Sequence, residues 1–552
     1  MPTHLVNLDA LILREDFEAG GESGAAVSNM PLFKVEELAK DRMYFSVLRK
    51  PDFQRPTNNW TPEMIVDLVE SYLDGKLVPA LILWHSKDSG KVFIIDGAHR
   101  LSALIAWVND DYGDGPISRG FGSEILPAQV KFHKKTKELM DGRVGSYATL
   151  YRAGLNPVSS DPPETVRRGR AIATLQPDIQ KVIGNAEIAE SSFLKINANP
   201  ATIDPTDFDV IRARKKPNAI ATRAIMRAGS GYWPKLDKAA EIEVLAKEVH
   251  SIIFGQIVEI TAQSPDIPRA GQPYSNEAFK MVLDMVNTFN NISPAMWQVG
   301  KGKAKSQVQQ LTDETDGSAT IAYLARIKEV GTLVSDNGER NPGCLGLDQA
   351  VYSYGATGKF HPAAFLASLK FAQELEADDK IFEFTKVRKN FEEFIVRHNF
   401  FVNQIGHSKG SRTRPLDSML TLFKRTLECF MKDIHDDLQI VAALKQEKQL
   451  DALNDVTNLP TPTTTQKKFS KTVQQAAVVR QILDNRERCP VCGARLPPGS
   501  RSKDHKLSGS KGGVGTIDNF QFTHPYCNTG YKEKLQSIAD KAERTGIEPA
   551  SA

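Results

Sequence analysis

The chain has 552 residues, 41% of them hydrophobic and 25% charged, with a formal net charge of +3. That composition is ordinary for a soluble globular chain of roughly two to four domains, and no stretch approaches the roughly 18 consecutive apolar residues of a membrane span. Five cysteines exclude a disulfide-stapled secreted framework, and the charges His4, Asp9, Arg14, Glu15 and Asp16 exclude a secretory signal, so a cytoplasmic location is expected.

The first informative segment begins at Gln54-Arg55-Pro56, with Trp60 closing the loop. Thr61-Pro62 then reads as a helix start, a cap residue followed by proline in the first turn. Ile65, Leu68, Val69 and Tyr72 follow at helical spacing and predict one buried face. Two short strands are expected next, Ala80 to Trp84 and Val92 to Ile95, joined by a polar turn from Ser86 to Gly90. The second strand runs into Asp96-Gly97-Ala98-His99-Arg100. A new helix then places Leu101, Leu104, Ile105 and Val108 inward. A strand, a glycine turn and a helix N-terminus carrying His and Arg together suit an anion, because free N–H groups and the helix dipole act with the guanidinium.

In this order Gln54-Arg55-Pro56-x-x-x-Trp60, Asp96-Gly97-Ala98-His99-Arg100 and Phe193-Leu194-Lys195-Ile196-Asn197 resemble the ParB/sulfiredoxin-like α/β fold of the GmrS and SspE type. Ala98 departs from that pattern, standing where a glutamine is usual. The resemblance implies a nucleotide-binding domain over residues 30–235 with Arg55, Asp96, His99, Arg100 and Asn197 in the pocket. NTP hydrolysis there would regulate DNA cleavage. Read from the residues alone, the alternative is that Asp96 and Arg100 make a buried ion pair that only shapes the turn.

Residues 236–455 read as mainly helical, with helices at Lys238 to Ile257, Pro362 to Glu376 and Asp417 to Met431. The basic run Arg212, Arg214, Lys215, Lys216, Arg223, Arg227 fits a phosphate-tracking surface or a solvated helix face. The loop from His407 to Arg414 is a second nucleic-acid candidate. Alternating proline and threonine in Leu459-Pro460-Thr461-Pro462-Thr463 mark a linker over 456–475.

The last segment, 476–545, carries the most chemistry. Cys489-x-x-Cys492 and His524-x-x-Cys527 have the spacing of two knuckles closing one tetrahedral structural zinc site. Interleaved with them are Asp504-His505, Asn519 and Asn528, a histidine base beside hard oxygen ligands. From Thr461 to Ala552 there are 15 Lys+Arg against 8 Asp+Glu, a net +7 that leaves −4 for the rest of the chain. Arg495, Arg501, Lys503, Lys506 and Lys511 crowd this segment, which suits a polyanion partner.

The segment 489–530 resembles an HNH endonuclease of the ββα-metal type in an H-N-N variant. That resemblance implies His505 as general base, and Asp504 and Asn528 as ligands of a catalytic Mg²⁺ or Mn²⁺. Asn519 would hold the base and its loop. The Gly-rich turn from Ser508 to Gly513 also fits it. A P-loop is excluded, because no G-x-x-x-x-G-K-[ST] string occurs in the chain.

The expectation is therefore an α+β multidomain DNA endonuclease of a restriction or phage-defence system, with DNA and a nucleotide as partners. It would hold structural Zn²⁺ and a catalytic divalent metal and have no membrane partner. A homo-oligomer or defence-system partner proteins stay open. So do two other classes: a non-catalytic ParB-like DNA-binding protein with a structural zinc module, and a modified-DNA (for example phosphorothioate) sensor NTPase.

Overall fold

The computed structural model describes residues 5–15, 33–51, 54, 57, 60–87, 89–119, 127–197, 210, 212–228, 236–255, 276–293, 305–408, 414–453 and 469–535. The chain divides into two compact units, 1–244 with 266–275 and 295–318, and 245–265 with 276–294 and 319–552. Among the described residues the architecture is helix-rich α+β, with one five-stranded mixed sheet and one two-stranded sheet.

The first unit is built on strands β1 (Arg14–Glu15), β2 (Leu48–Pro51), β3 (Leu81–His85), β4 (Val92–Asp96) and β5 (Ile179–Val182), in the order β1-β2-β4-β3-β5. β3 and β4 pair antiparallel, while β1–β2, β2–β4 and β3–β5 pair parallel. Both faces of the centre are covered, which explains why Val92-Phe93-Ile94-Ile95 is apolar without alternation. Leu81, Leu83, Val92 and Ile94 pack with Ile65 and Val69 of α1 (Pro62–Leu73) and Leu101, Leu104 and Ile105 of α2 (Ala98–Asn109). On the opposite face Trp84, Phe93 and Ile95 meet Ala186, Ala189 and Phe193 of α3 (Ala186–Asn197).

The helix starts agree with their sequence signals. Thr61 caps α1, its hydroxyl accepting from the Met64 N–H at 3.3 Å. The buried stripe of α1 is wider than expected, for Val66 and Leu73 are buried while Leu68 and Tyr72 are half-buried. α2 is buried nearly all round, because Trp107 on its outer side donates to the Gly145 carbonyl at 3.0 Å and meets Tyr147 edge-on.

The basic run is neither a solvated face nor an open stripe. Arg214 is buried and paired with Glu190, Arg223 is buried and donates to the Arg214 and Ala219 carbonyls, and Lys216 pairs with Asp313 at 2.9 Å. The expected helices appear as α4 (Ala239–Phe254), α5 (Pro362–Ala377) and α7 (Arg414–Met431). In the second unit α5, α6 (Ile381–Arg397) and α7 share an aromatic core of Phe371, Phe384, Phe391 and Phe423. The Pro/Thr linker from Leu459 to Thr465 and the middle of the His407 to Arg414 loop lie outside the described residues.

Candidate functional site

The Cys489–Cys492 knuckle closes on itself: the Cys489 N–H donates to the Ala494 carbonyl at 2.8 Å and the Gly493 N–H to the Cys489 carbonyl at 2.8 Å. Gly493 takes φ +71, which favours glycine at that place. Cys489, Cys492, His524 and Cys527 bring their ligand atoms within 4.8 Å of one another. His524 Nδ1 lies 3.5 Å from Cys492 Sγ and 3.7 Å from Cys527 Sγ. Tetrahedral zinc with Zn–S near 2.3 Å and Zn–N near 2.0 Å requires ligand separations of about 3.6 Å, so the cluster fits that ion.

The Nε2 of His524 reaches the Arg495 carbonyl at 2.9 Å. Donation there keeps the ring proton on Nε2 and turns the Nδ1 lone pair toward the sulfurs. Hydrogen bonds from Cys492 and Cys527 pull the Cys489 thiol far down. The Cys492 thiol is pushed up to about 12 by its bond to Cys489, and Cys527 is raised for the same reason. Three crowded sulfurs cannot all ionise unless a cation shares the charge.

From this brace rises a hairpin, β6 (Ser502–His505) against β7 (Phe520–Thr523), antiparallel. Its register pairs Ser502 with Thr523, Lys503 with Phe522, Asp504 with Gln521 and His505 with Phe520. Side chains alternate, so Ser502, Asp504, Gln521 and Thr523 share one face and Lys503, His505, Phe520 and Phe522 the other. The first face is covered and the second exposed. A helical segment, 525–535, follows β7 and includes a π turn at Cys527–Tyr531.

This segment lies against the covered face. Asn528 donates through Nδ2 to the Ser502 hydroxyl and to the Lys503 carbonyl, both at 3.0 Å. Among the described residues no hydrogen bond reaches its Oδ1, the atom a cation would use. Asp504 is buried, its carboxylate accepting from Gln521 Nε2 at 2.7 Å and from the Lys532 ammonium. Lys532 also reaches the His505 carbonyl at 3.2 Å. His505, the last residue of β6, is exposed.

Asn519 closes the intervening loop, accepting from the Leu507 N–H at 2.7 Å and donating to the Leu507 carbonyl at 3.1 Å and the Val514 carbonyl at 2.9 Å. Sequence reasoning missed Lys532 and Gln521. The four-residue spacing from Asn528 to Lys532 was the available signal, because it puts both on one helix face.

The N-terminal candidate residues are placed less completely. Arg55 lies outside the described residues, as does the side chain of Asn197. Asp96 and Arg100 form an ion pair at 2.7 Å, and Arg100 also donates to the Pro79 carbonyl at 2.8 Å. His99 stacks on Trp60 with ring centres 5.6 Å apart. Gly97 has φ +95, and a Cβ there would stand 2.5 Å from Leu81 Cδ2, so the turn requires glycine.

Beside the Gln54 loop, Asp9 gathers Lys50 Nζ at 2.6 Å, Arg14 at 2.8 Å and the Thr57 N–H at 3.0 Å. Arg14 and Lys50 outweigh burial and hold the Asp9 carboxyl far below the usual carboxylate range. No local signal marks this clamp as a whole, since Arg14 is five positions from Asp9 but Lys50 and Thr57 are 41 and 48 positions away.

Residues 35–228 match the family model described as GmrSD restriction endonuclease, N-terminal domain. No curated protein and no solved structure matches the chain. None of the described helices is long and apolar enough to cross a membrane.

Proposed function

We propose that the chain is a DNA endonuclease of a restriction or phage-defence system. Its 476–545 module would cleave phosphodiesters by metal-dependent HNH hydrolysis, and its ParB/sulfiredoxin-like 30–235 region would bind an NTP and regulate that cleavage. The observation that carries this reading is one hairpin end: Asp504 and His505 close β6 with their side chains on its two faces, Asn528 is bonded to the two residues before them on the Asp504 side, and a Cys/His cluster braces the whole.

In this reading the exposed His505 imidazole takes the proton from a water approaching the phosphate. Asn519 ties down Leu507 and Val514, which fixes the strand end that carries the base. The Asp504 carboxylate and the Asn528 amide oxygen are hard donors suited to Mg²⁺ or Mn²⁺, ions that commonly use one or two carboxylates and keep several waters. Such a cation supplies positive charge to the developing oxyanion and the leaving oxygen.

Plasmid nicking with magnesium or manganese tests the reading. His505→Ala is expected to abolish cleavage while zinc content and melting behaviour stay as in the parent. Retained cleavage would overturn the assignment of the base. A second reading rests on the match over 35–228 and on Gly97-Ala98-His99-Arg100 at the start of a helix buried against the sheet. There the main activity is NTP turnover on sensing modified DNA. Nucleotide hydrolysis stimulated by phosphorothioate DNA but not by plain DNA, with no nicking, would favour it.

A further inference from the structure

The exposed face of the hairpin carries two phenylalanines side by side. Phe520 is 43% and Phe522 36% exposed, with ring centres 4.9 Å apart at 83°. The Arg501 guanidinium lies 5.6 Å over the Phe522 ring. Register sets Lys503 opposite Phe522 and His505 opposite Phe520, so cation, ring and imidazole alternate across one surface. The connecting loop adds Lys506 and Lys511. Between 501 and 523 the acids are Asp504, which is buried on the other face, and Asp518.

We propose that this face binds unpaired nucleobases of a DNA strand, one base stacking on Phe520 and a neighbour on Phe522. Lys503, Lys506 and Lys511 neutralise the adjoining phosphates, while Arg501, paired with Glu487 at 3.0 Å, lies over the Phe522 ring. The inference rests on the nuclease reading and deepens it: the preferred substrate is single-stranded, flapped or bubbled DNA rather than continuous duplex. Rings interleaved with cations complement a polyanion that also offers π-faces, and the exposed acids here, Asp518 and the Glu487 that pairs with Arg501 at 3.0 Å, are outnumbered by Arg501, Lys503, Lys506 and Lys511. A continuous duplex hides those faces within its own stack and offers the hairpin phosphates alone. The position of His505 opposite Phe520 puts the stacked base next to the candidate general base.

The test uses the full chain, loaded with zinc and without added magnesium or manganese, in fluorescence anisotropy. The probes are a short single strand and its blunt duplex, and 2-aminopurine in the strand reports stacking. Phe520→Leu and Phe522→Leu keep apolar bulk and remove the ring. Each is expected to weaken strand binding about fivefold or more, the lower end of a base–ring stack, and to abolish the 2-aminopurine quenching. Duplex affinity is expected to stay within about twofold, since the phosphate contacts remain. Phe522→Tyr restores strand binding.

Equal losses on strand and duplex, or leucine variants that bind and quench like the parent, overturn the proposal. The outcomes separate from those of the nuclease reading. A parent chain that nicks plasmid while its leucine variants keep full strand affinity retains the nuclease assignment and loses this one. Strand binding that depends on the rings, in a chain that cuts no DNA with either metal, does the reverse.

Discussion

Lys532 competes with any cation at Asp504, because its ammonium holds the carboxylate that the nuclease reading assigns to a divalent ion. Like charges compete for one oxygen. A unit positive charge a few ångströms from a metal site disfavours the ion by ~1 kcal/mol or more at the effective dielectric of a partly exposed site. Lys532→Met is therefore expected to lower the Mg²⁺ or Mn²⁺ concentration for half-maximal cleavage about fivefold or more. An unchanged or raised metal requirement would assign the lysine to another task.

His133 is a second case, in the first unit. It is almost fully buried, and among the described residues neither ring nitrogen has a hydrogen-bond partner. Burial depresses its pKa to about 4, partly opposed by Asp111. The folded value lies below that of the unfolded chain, so the stabilising contribution is complete above about pH 6.5 and is lost as pH falls toward 4. The whole window corresponds to ~3 kcal/mol. Urea unfolding of the first unit should show this slope, and His133→Phe should flatten it.

Among elements, one close contact is a helix crossing made by two glycines. Helices Tyr147–Leu155 and Pro163–Ile172 approach so closely that a Cβ on Gly154 would lie 2.5 Å from the Gly169 carbonyl carbon. Backbone offers no rotamer by which to retreat. Gly154→Val is expected to destabilise the first unit by ~2 kcal/mol or more, seen as an earlier melting transition. Neither glycine was singled out in the sequence, because the requirement exists only once the helices meet.

The same contrast governs legibility elsewhere. α1, α2, β3 and β4 were readable nearly to the residue, since caps, apolar spacing and a glycine turn are local signals. The Cys/His set was readable because metal ligation imposes its own spacing. The burial of Arg214 and Arg223 within a run that looked like surface was not readable, nor was the hold of Lys532 on Asp504. Those depend on partners brought together by the fold.

For the molecule as a whole, the Cys/His cluster is tied into the helical body of its unit. Arg388 and Glu392 of α6 are buried and bonded at 2.7 Å. Burial works against the arginine charge, yet Glu392 beside it keeps the guanidinium protonated. Arg388 donates to the Leu345 and Gly346 carbonyls, while Glu392 accepts from the Arg495 N–H at 3.0 Å, just beyond the first knuckle. The Tyr526 N–H donates to the Cys344 carbonyl at 3.0 Å, and a Cβ on Gly346 would stand 2.7 Å from the His524 ring. Segment 342–346 is thus held between α6 and the second knuckle.

In the zinc-bound state that the cluster fits, removing the ion takes away the charge that keeps three sulfurs together, and the loss should spread through these bonds. Chelation is expected to speed amide exchange over 489–496, 520–527 and 342–346 and to lower the melting transition of the second unit. Exchange in β4 and α2 of the first unit should not change. Protection across 342–346 that survived complete zinc removal would mean the Arg388–Glu392 pair holds that segment alone, with the cluster bracing only the hairpin.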